Sequence, residues 1–370
     1  MIAILLPDSE SGIYYYSSKL YSHIPLRKEF IFLKKGKILS IPYYVLCVLN
    51  SNAKLFHIQF EPRFLKNPFE QVIFIFLIPF IIKYIKRKPL IVTFHAILNY
   101  EDFHILLNTI KHRRLFIHFK KLLWLIYIIS NEVLLKFANR IIVHNQLLYD
   151  WIKNNFNIMK KIIIIPHGTI LLQNDTKEKN GILYFGFLKL TRNLINIIKA
   201  FQLLKKDYTA PIKLYLLIFI SRKRGDIHKS MLSLLRKFIK ENIKNDISIV
   251  INPCEETINK ILNRTIIGIL PYLERTIESS GIAWRFAGLG IPFIGTAVPK
   301  LLSDFGNSGA CILLDRFSPE KIAKAIKFLL TNKELYLDMK LKLISMASCR
   351  TWDKVAKLHL KIYEDVMCHA

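Results

Sequence analysis

The stretch ESSGIAWRFAGLGIPFIGT, from Glu278 to Thr296, indicates the fold more clearly than any other part of this chain. The stretch is rich in small residues, whereas the rest of the sequence is rich in Ile, Lys and aromatic residues. The apolar segment IIGILPY precedes it, and it ends in the apolar segment IPFIGT. The first apolar segment predicts a buried strand, and the two serines after it predict the N-cap of a helix. The stretch is therefore typical of a strand, a loop, a helix and a second strand.

Glycines recur within this stretch, at Gly281, Gly288 and Gly290. Because glycine has no Cβ, it lets another group come close to the backbone. One interpretation is a ligand, since the free N–H groups and the dipole of a helix N-terminus attract anions. The other is that the glycines only allow a helix and a strand to pack tightly. The stretch alone leaves both interpretations open.

Length and charge constrain the rest of the chain. A chain of 370 residues is longer than one hydrophobic core usually supports, so two domains are expected. The formal net charge of +28 predicts an acidic partner: a nucleic acid, an anionic membrane surface or a phosphorylated small molecule. Charge alone does not choose among these three.

Five scattered cysteines show neither metal-binding spacing nor a disulfide framework, which favours a reducing compartment and no zinc site. The sequence opens with the strand-like MIAILLP and without the basic region of a secretory signal. We therefore expect a cytoplasmic protein.

Two apolar segments bear on membrane association. Residues Val72–Ile82, VIFIFLIPFII, are too few to cross a bilayer, which takes about 20 apolar residues, and so predict a buried helix. Residues 110–137 mix Lys and Arg with Trp, Phe and Leu, as an interfacial amphipathic helix does. An ordinary helix with one solvated basic face is the alternative.

Apolar runs rich in β-branched residues alternate with amphipathic stretches along the whole chain, which indicates βαβ units. A polar stretch interrupts the alternation and predicts a linker at 171–180. We therefore predict an α/β protein with two doubly wound parallel sheets, one in residues 1–170 and one in 181–350. Ligands of such sheets lie at the carboxyl ends of the strands.

Seven motifs occur in an order that resembles the retaining glycosyltransferases of family 4. They are VTFHAI, ANRIIVHNQLLYDWI, IIPHGT, ILYFGFLKLTRNLINIIKAFQLL, the Glu-Ser-Gly loop that begins at Glu278, AGLGIPFIGT and TWDKVAKLHLKIY. Together they span nearly the whole chain. The resemblance implies a GT-B fold, in which two Rossmann-like domains face a cleft, 1–170 on the acceptor side and 181–350 for the nucleotide sugar, with a C-terminal helix in 351–370 that crosses back to the first domain.

The resemblance also implies an activity. A sugar would pass from a nucleotide-diphosphate donor to an acceptor hydroxyl with retained anomeric configuration, and the domains would close about a hinge near Asn174–Asn180. The catalytic work is mainly electrostatic stabilisation of a leaving diphosphate and a cationic sugar ring. Fixed positive groups suffice for this, so we expect no metal and no cofactor, with the nucleotide sugar as substrate.

Site residues follow from the same resemblance. His95 matches the family histidine beside the transferred sugar, and Glu278 matches the glutamate that accepts hydrogen bonds from sugar hydroxyls; these two are the predicted catalytic residues. Gly12 lies where the family has a glycine-rich loop, although Ser11 replaces its other glycine. The predicted donor-binding residues are Gly12, Gly186, Lys189, Arg192, Ser279, Ser280, Gly281 and Arg285.

Two positions depart from the family pattern. Phe187 stands where the family has the first cation of its phosphate clamp, so Arg192 is left as the second, with Lys189 nearby. The second glutamate of the family pattern is also missing, and Arg285 stands there when one counts back from Gly290. We hypothesise that Arg285 joins the phosphate site and compensates for Phe187.

The acceptor side is predicted from HIQFEP, which places His57, Gln59 and Glu61 near the end of another strand. His144 and His167 also end strands, and we favour a structural role for both. The basic segment 110–137 suggests an acceptor that is a lipid-linked or envelope glycan, reached by a peripheral protein on the cytoplasmic face of the membrane.

Three other interpretations stay open. A nucleic-acid-binding protein would explain the charge, but Lys and Arg are spread through most helices and no nucleic-acid-binding module is recognisable. A catalytically degenerate GT-B partner or scaffold subunit would explain Phe187 and Arg285 together. A sugar-nucleotide epimerase or a phosphorylase could share the fold, although no motif for a pyridoxal lysine is present.

Overall fold

The computed structural model describes residues 1–7, 12–33, 40–61, 68–103, 119–156, 158, 161–172, 179–220, 225–242 and 246–369. The chain divides into two compact units. The first unit comprises Met1–Gly168, Arg275–Ser279 and Trp352–Ala370, and the second comprises Thr169–Glu274 and Ser280–Thr351. The predicted hinge near Asn174–Asn180, residues 110–118 of the basic segment, and Ser11 all fall wholly or mainly outside the described residues.

The first unit is built on a six-stranded parallel sheet with the order β2-β1-β3-β4-β6-β7. Its strands are β1 (Ile2–Pro7), β2 (Lys28–Leu33), β3 (Leu55–Phe60), β4 (Leu90–Phe94), β6 (Arg140–Val143) and β7 (Ile162–Ile164). Its helices are α1 (Gly12–Ser22), α2 (Ser40–Asn50), α3 (Pro68–Phe80), α4 (Lys120–Phe137), α5 (Gln146–Asn155) and the C-terminal α13 (Trp352–Cys368). A short antiparallel pair, β5 (Ala96–Ile97) with β12 (Ile277–Glu278), completes the unit.

The second unit repeats the plan with the strand order β10-β9-β8-β11-β13-β14. Its strands are β8 (Gly181–Phe187), β9 (Lys213–Phe219), β10 (Ile247–Ile251), β11 (Thr265–Leu270), β13 (Phe293–Thr296) and β14 (Ile312–Leu314). Its helices are α6 (Leu194–Asp207), α7 (Gly225–Asn242), α8 (Glu255–Asn263), α9 (Gly281–Gly288), α10 (Pro299–Phe305), α11 (Pro319–Thr331) and α12 (Lys333–Ser348). The prediction of two parallel, doubly wound sheets is confirmed.

The surroundings of helix α9 show which atoms lie close to the glycines of the stretch Glu278–Thr296. A Cβ on Gly288 would overlap the carbonyl oxygen of Ile170, because the chain that enters the second unit runs against the end of this helix. The backbone N–H of Leu172 donates to the Gly288 carbonyl at 3.1 Å. Gly290 adopts a positive φ of 59°, which L side chains rarely adopt. Gly288 therefore allows the chain at Ile170–Leu172 to pack against the helix end, and Gly290 provides a backbone conformation that favours glycine.

Helix α3 differs from its prediction. The segment predicted as a buried helix does bury Phe74, Ile75 and Ile78 in the core, but Ile73 and Phe76 on its other side are exposed. Among the helices in the described segments, none combines the length and the apolarity needed to cross a bilayer.

Candidate functional site

A group of charged and aromatic side chains lies at the carboxyl ends of three neighbouring strands of the second sheet. The strands β8, β11 and β13 are adjacent, and the chain leaving each of them contributes to the group. The members are Lys189, Thr191 and Arg192 after β8, Tyr272 and Glu274 after β11, and Lys300 after β13. We call these six residues the Glu274 cluster. It occupies the edge at which parallel sheets bind ligands.

Glu274 is the centre of this cluster. Its Oε2 accepts from Arg192 Nη1 at 2.9 Å, and its Oε1 accepts from Thr191 Oγ1 at 2.8 Å and lies 3.5 Å from Lys189 Nζ. Burial alone would raise the pKa of the Glu274 carboxyl, but Arg192, followed by Lys189 and Lys300, holds that pKa at about 2. Glu274 is therefore ionised across the physiological pH range.

Tyr272 joins two of the cations. The Arg192 guanidinium and the Lys300 ammonium each lie 4.3 Å from the centroid of its ring, within the range of cation–π attraction. Lys300 is 4% exposed and Arg192 is 7% exposed. Lysine is rarely so buried unless a counter-charge stabilises it. Three cations and one carboxylate give the Glu274 cluster a net charge of +2, which suits an anionic ligand.

The predicted donor loop lies beside this cluster in the second unit. Ser280 is the N-cap of α9, as predicted, and its Oγ accepts from the backbone N–H of Ala283. The same hydroxyl lies 2.9 Å from the Tyr272 hydroxyl, which connects the helix start to the Glu274 cluster. Gly281 is the exposed first residue of the helix, whereas Ser279 belongs to the first unit.

The hypothesis that Arg285 joins the phosphate site and compensates for Phe187 does not fit the contacts of these two residues. Phe187 packs against Phe219, with ring centroids 5.8 Å apart. Arg285 donates to the Glu255 carboxylate at 2.8 Å and to the Asn259 amide oxygen at 3.0 Å, both on α8. The structure thus gives Arg285 an ion pair on α8, while Lys300 is the additional cation beside Arg192. Gly186 is buried under the hydroxyl of Tyr184, which a Cβ would approach to 3.0 Å.

In the first unit, His95 directly follows strand β4 and belongs to a cluster of imidazoles. His95 Nδ1 lies 3.1 Å from His144 Nε2, and the His144 Nδ1–H donates to the Ile165 carbonyl at 3.0 Å. The ring of Tyr16 packs against His95, His144 and His167, with centroid distances of 4.8, 5.0 and 5.1 Å. Burial, together with the neighbouring imidazoles, lowers the pKa of His95 well below its usual range. His95 is therefore neutral at pH 7.

Glu278 is held next to His95 by the short antiparallel pair. Ala96, which directly follows His95, is the register partner of Glu278. The Asn145 side-chain amide also reaches the Glu278 carbonyl, at 3.4 Å. The fold thus brings together the two residues that the resemblance marks as catalytic, although 183 residues separate them in the chain (278 minus 95).

Two of the three acceptor-side residues do not fit that prediction, because His57 and Gln59 have no exposed surface. His57 Nδ1 lies 2.7 Å from the Tyr363 hydroxyl and its Nε2 lies 2.8 Å from Thr93 Oγ1. Gln59 contacts the side chain of His95, with its Oε1 2.7 Å from the His95 Nε2. Gln59 thus supports His95 directly, and His57 Nε2 lies 3.3 Å from Gln59 Nε2 inside the sheet. Glu61, just beyond β3, is half-buried, and its acceptor role stays a prediction.

Gly12 is the first residue of α1, and outside its own helix and its chain neighbours no atom of the described residues lies within 4 Å of the position its Cβ would occupy. Its role in donor binding stays a prediction. No group of three or more His, Cys, Asp or Glu side chains within the described part of the chain is arranged to hold a metal ion.

Four members of the Glu274 cluster were not predicted as site residues from the sequence: Thr191, Tyr272, Glu274 and Lys300. The sequence shows Glu274 only as one acid in the loop that also carries Glu278. The available signal is position, because each of the four follows the carboxyl end of a strand near the middle of the second sheet.

The chain matches no protein-family model, and no curated protein matches its sequence. Solved structures match it over almost its whole length. HepE of Anabaena in complex with UDP has a TM-score of 0.70 at 11% identity, over 99% of this chain and 100% of that chain. Sucrose-phosphate synthase of Thermosynechococcus elongatus has a TM-score of 0.70 at 12% identity, over 100% and 99%. A glycosyltransferase of Rickettsia africae has a TM-score of 0.64 at 14% identity, over 100% and 99%. At these identities the similarity shows the fold, and the chain has the GT-B fold of two Rossmann-like α/β domains.

Proposed function

We propose that this protein is a retaining glycosyltransferase that moves a sugar from a nucleotide-diphosphate donor to an acceptor hydroxyl. The observation that carries the proposal is the Glu274 cluster, an excess of buried positive charge at the ligand-binding edge of the second sheet. The fold adds support, because the HepE structure with this fold contains UDP.

In this proposal Arg192 and Lys300 bind the diphosphate. The planar guanidinium of Arg192 suits two phosphate oxygens at once, and Lys300 supplies a point charge. Lys300 thereby supplies the positive charge that the family has at the position of Phe187. Glu274 accepts from Arg192 at 2.9 Å, so a diphosphate would compete with the Glu274 carboxylate for the guanidinium.

The sugar would be held by His95 and Glu278. Both ring nitrogens of the neutral His95 already have partners, Gln59 Oε1 at 2.7 Å from Nε2 and His144 Nε2 at 3.1 Å from Nδ1. The His95 backbone carbonyl would therefore accept from a sugar hydroxyl, or a hydroxyl would replace one of these two partners of the imidazole. The Glu278 carboxylate would accept hydrogen bonds from other hydroxyls of the donor sugar. As the glycosidic bond to the diphosphate breaks, negative charge grows on the leaving oxygen, where fixed cations stabilise it without a metal.

The acceptor we propose is a lipid-linked or envelope glycan presented at the cytoplasmic face of a membrane, where the protein would act peripherally. Such an acceptor is consistent with the strong positive charge of the chain, because the cytoplasmic leaflet is anionic.

The test is release of nucleoside diphosphate from UDP-, GDP-, ADP- and dTDP-sugars in the presence of a membrane lipid extract. We expect release from one donor, and a large loss of it in His95→Ala and Glu278→Gln. An exposed glutamate on another helix, in Glu334→Gln, is the matched control. NMR of the product anomer tests retention. Donor binding without release by any extract would instead support a degenerate GT-B partner.

A further inference from the structure

Helices α3 and α4 of the first unit carry apolar side chains on their solvent side as well as on their core side. On α3 the exposed residues recur at the spacing of one helix face. They are Ile73, Phe76, Leu77 and Phe80, which are 48%, 41%, 36% and 46% exposed. A helix on the surface of a water-soluble domain normally presents polar residues there.

Helix α4 repeats the same pattern. Its exposed residues are Leu122, Leu125, Ile126 and Ile129, which are 52%, 52%, 36% and 43% exposed. Positions i, i+3, i+4 and i+7 lie on one helix face, so each helix has a complete apolar stripe that faces solvent. Scattered exposed apolar residues are ordinary, but a periodic stripe on two helices is not.

The two stripes belong to one surface. Helices α3 and α4 pack against each other. Both bury their inner sides in the same core, through Phe74 and Ile78 of α3 and through Leu134 and Leu135 of α4. Because the inner sides face one core, the outer sides face away from it together. We call the eight exposed residues of the two stripes the outer apolar face.

Basic residues flank the two stripes along the chain. Lys120 and Lys121 begin α4, and the exposed Arg87 and Lys88 follow the helical turn Ile81–Ile85 that continues α3. Tyr84 and Ile85 of that turn extend the apolar surface, at 56% and 57% exposure. The acid of α4, Glu132, is neutralised by Lys136 at 2.6 Å. Apolar side chains flanked by basic residues complement an anionic lipid surface, because hydrophobic insertion and attraction to headgroups act together.

We propose that the outer apolar face docks onto an anionic lipid bilayer, with its side chains inserted at the level of the headgroups. A bilayer fits this surface better than a protein partner does, since the flanking residues are basic and the stripes are aliphatic and aromatic without a polar interior. The proposal concerns the membrane partner of the proposed function, but it requires no sugar chemistry.

The experiment is co-sedimentation of the full chain with vesicles of phosphatidylcholine, alone or mixed with phosphatidylglycerol. The test variant is Leu122→Gln with Leu125→Gln. The matched control is Leu337→Gln with Leu341→Gln, two leucines of α12 that are 54% and 66% exposed. Circular dichroism checks that both variants fold.

We expect the wild type and the control to bind the phosphatidylglycerol vesicles, and the test variant to bind about 10-fold more weakly, since two apolar side chains no longer insert. Added salt should weaken binding of the wild type. The proposal is overturned if the wild type does not bind these vesicles, or if the test variant binds as the control does. It is also overturned if sedimentation without lipid shows a dimer that the test variant abolishes, because the face would then be an interface between two copies. Donor release in detergent, measured alongside, reports on the proposed function independently of vesicle binding.

Discussion

Substituting Gly288 by alanine should destabilise the second unit, although alanine is the better helix former. Gly288 ends α9 in contact with the chain at Thr169–Leu172. A Cβ at this position would overlap the carbonyl oxygen of Ile170 and lie 2.8 Å from Thr169 Oγ1. The first of these neighbours is backbone, which no side-chain rotation can move away. The segment itself must therefore shift.

The size of the effect follows from what the shift breaks. The Leu172 N–H to Gly288 carbonyl bond at 3.1 Å and the Thr169 hydroxyl to Trp284 carbonyl bond at 2.7 Å are both at risk. Each is worth about 1 kcal/mol, and overpacking adds about 2 kcal/mol. The helix propensity of alanine recovers about 1 kcal/mol. We expect a net loss of about 3 kcal/mol in the free energy of unfolding, which lowers the Tm by roughly 6–10 °C.

Urea unfolding followed by circular dichroism measures this loss. Gly12→Ala is the control, because Gly12 also lies at a helix end and no described residue beyond its helix and chain neighbours comes within 4 Å of the added Cβ. We expect the control to change the free energy of unfolding by less than about 1 kcal/mol. Equal stabilities of the Gly288→Ala variant and the wild type would refute the packing interpretation of this glycine.

Three further predictions follow from the charged groups. The pKa of Glu274 is lowered from 4.5 to about 2, so the stability that the ionised carboxylate contributes is complete above pH 4.5 and is lost as the pH falls towards 2. Urea unfolding across that range should show a loss of about 3 kcal/mol in the free energy of unfolding of the wild type and a clearly smaller loss in Arg192→Ala. Burial lowers the pKa of His359 from 6.5 to about 4, so the free energy of unfolding should fall by about 3 kcal/mol as the pH drops from 6.5 to 4. A His359→Leu variant with the same pH dependence would contradict this prediction. Lys300→Met should weaken calorimetric binding of the cognate nucleoside diphosphate about 10- to 100-fold, whereas the exposed Lys324→Met should leave it unchanged.

The sheets and most helices could be predicted from sequence, because their signals are local. The runs ILYFGFL and TIIGILPY combine β-branched residues with apolar continuity, and the structure has β8 and β11 there. The predicted helix start at the serines also holds, since Ser280 caps α9 through its own hydroxyl. A strand run or a helix cap can be recognised from only a few consecutive residues.

The Glu274 cluster could not be predicted, because it depends on strand order. Lys189, Glu274 and Lys300 are far apart in sequence and meet only because β8, β11 and β13 are neighbours in the sheet. The acceptor-side prediction is wrong for His57 and Gln59 for a related reason. In an exposed sheet alternate residues of LFHIQF would face solvent, but β3 lies inside a parallel sheet and is buried on both faces. His57 and Gln59 are buried as a result.

The most direct test of this account is calorimetric titration of the purified protein with UDP-, GDP-, ADP- and dTDP-sugars. Arg192→Ala removes a cation of the Glu274 cluster, and Arg236→Ala removes an exposed arginine from α7 as the matched control. We predict that one donor binds the wild type and the control alike, and that it binds Arg192→Ala at least about 10-fold more weakly. Binding that is equally strong in Arg192→Ala, or no binding of any donor to the wild type, would contradict the assignment of the Glu274 cluster as the diphosphate site.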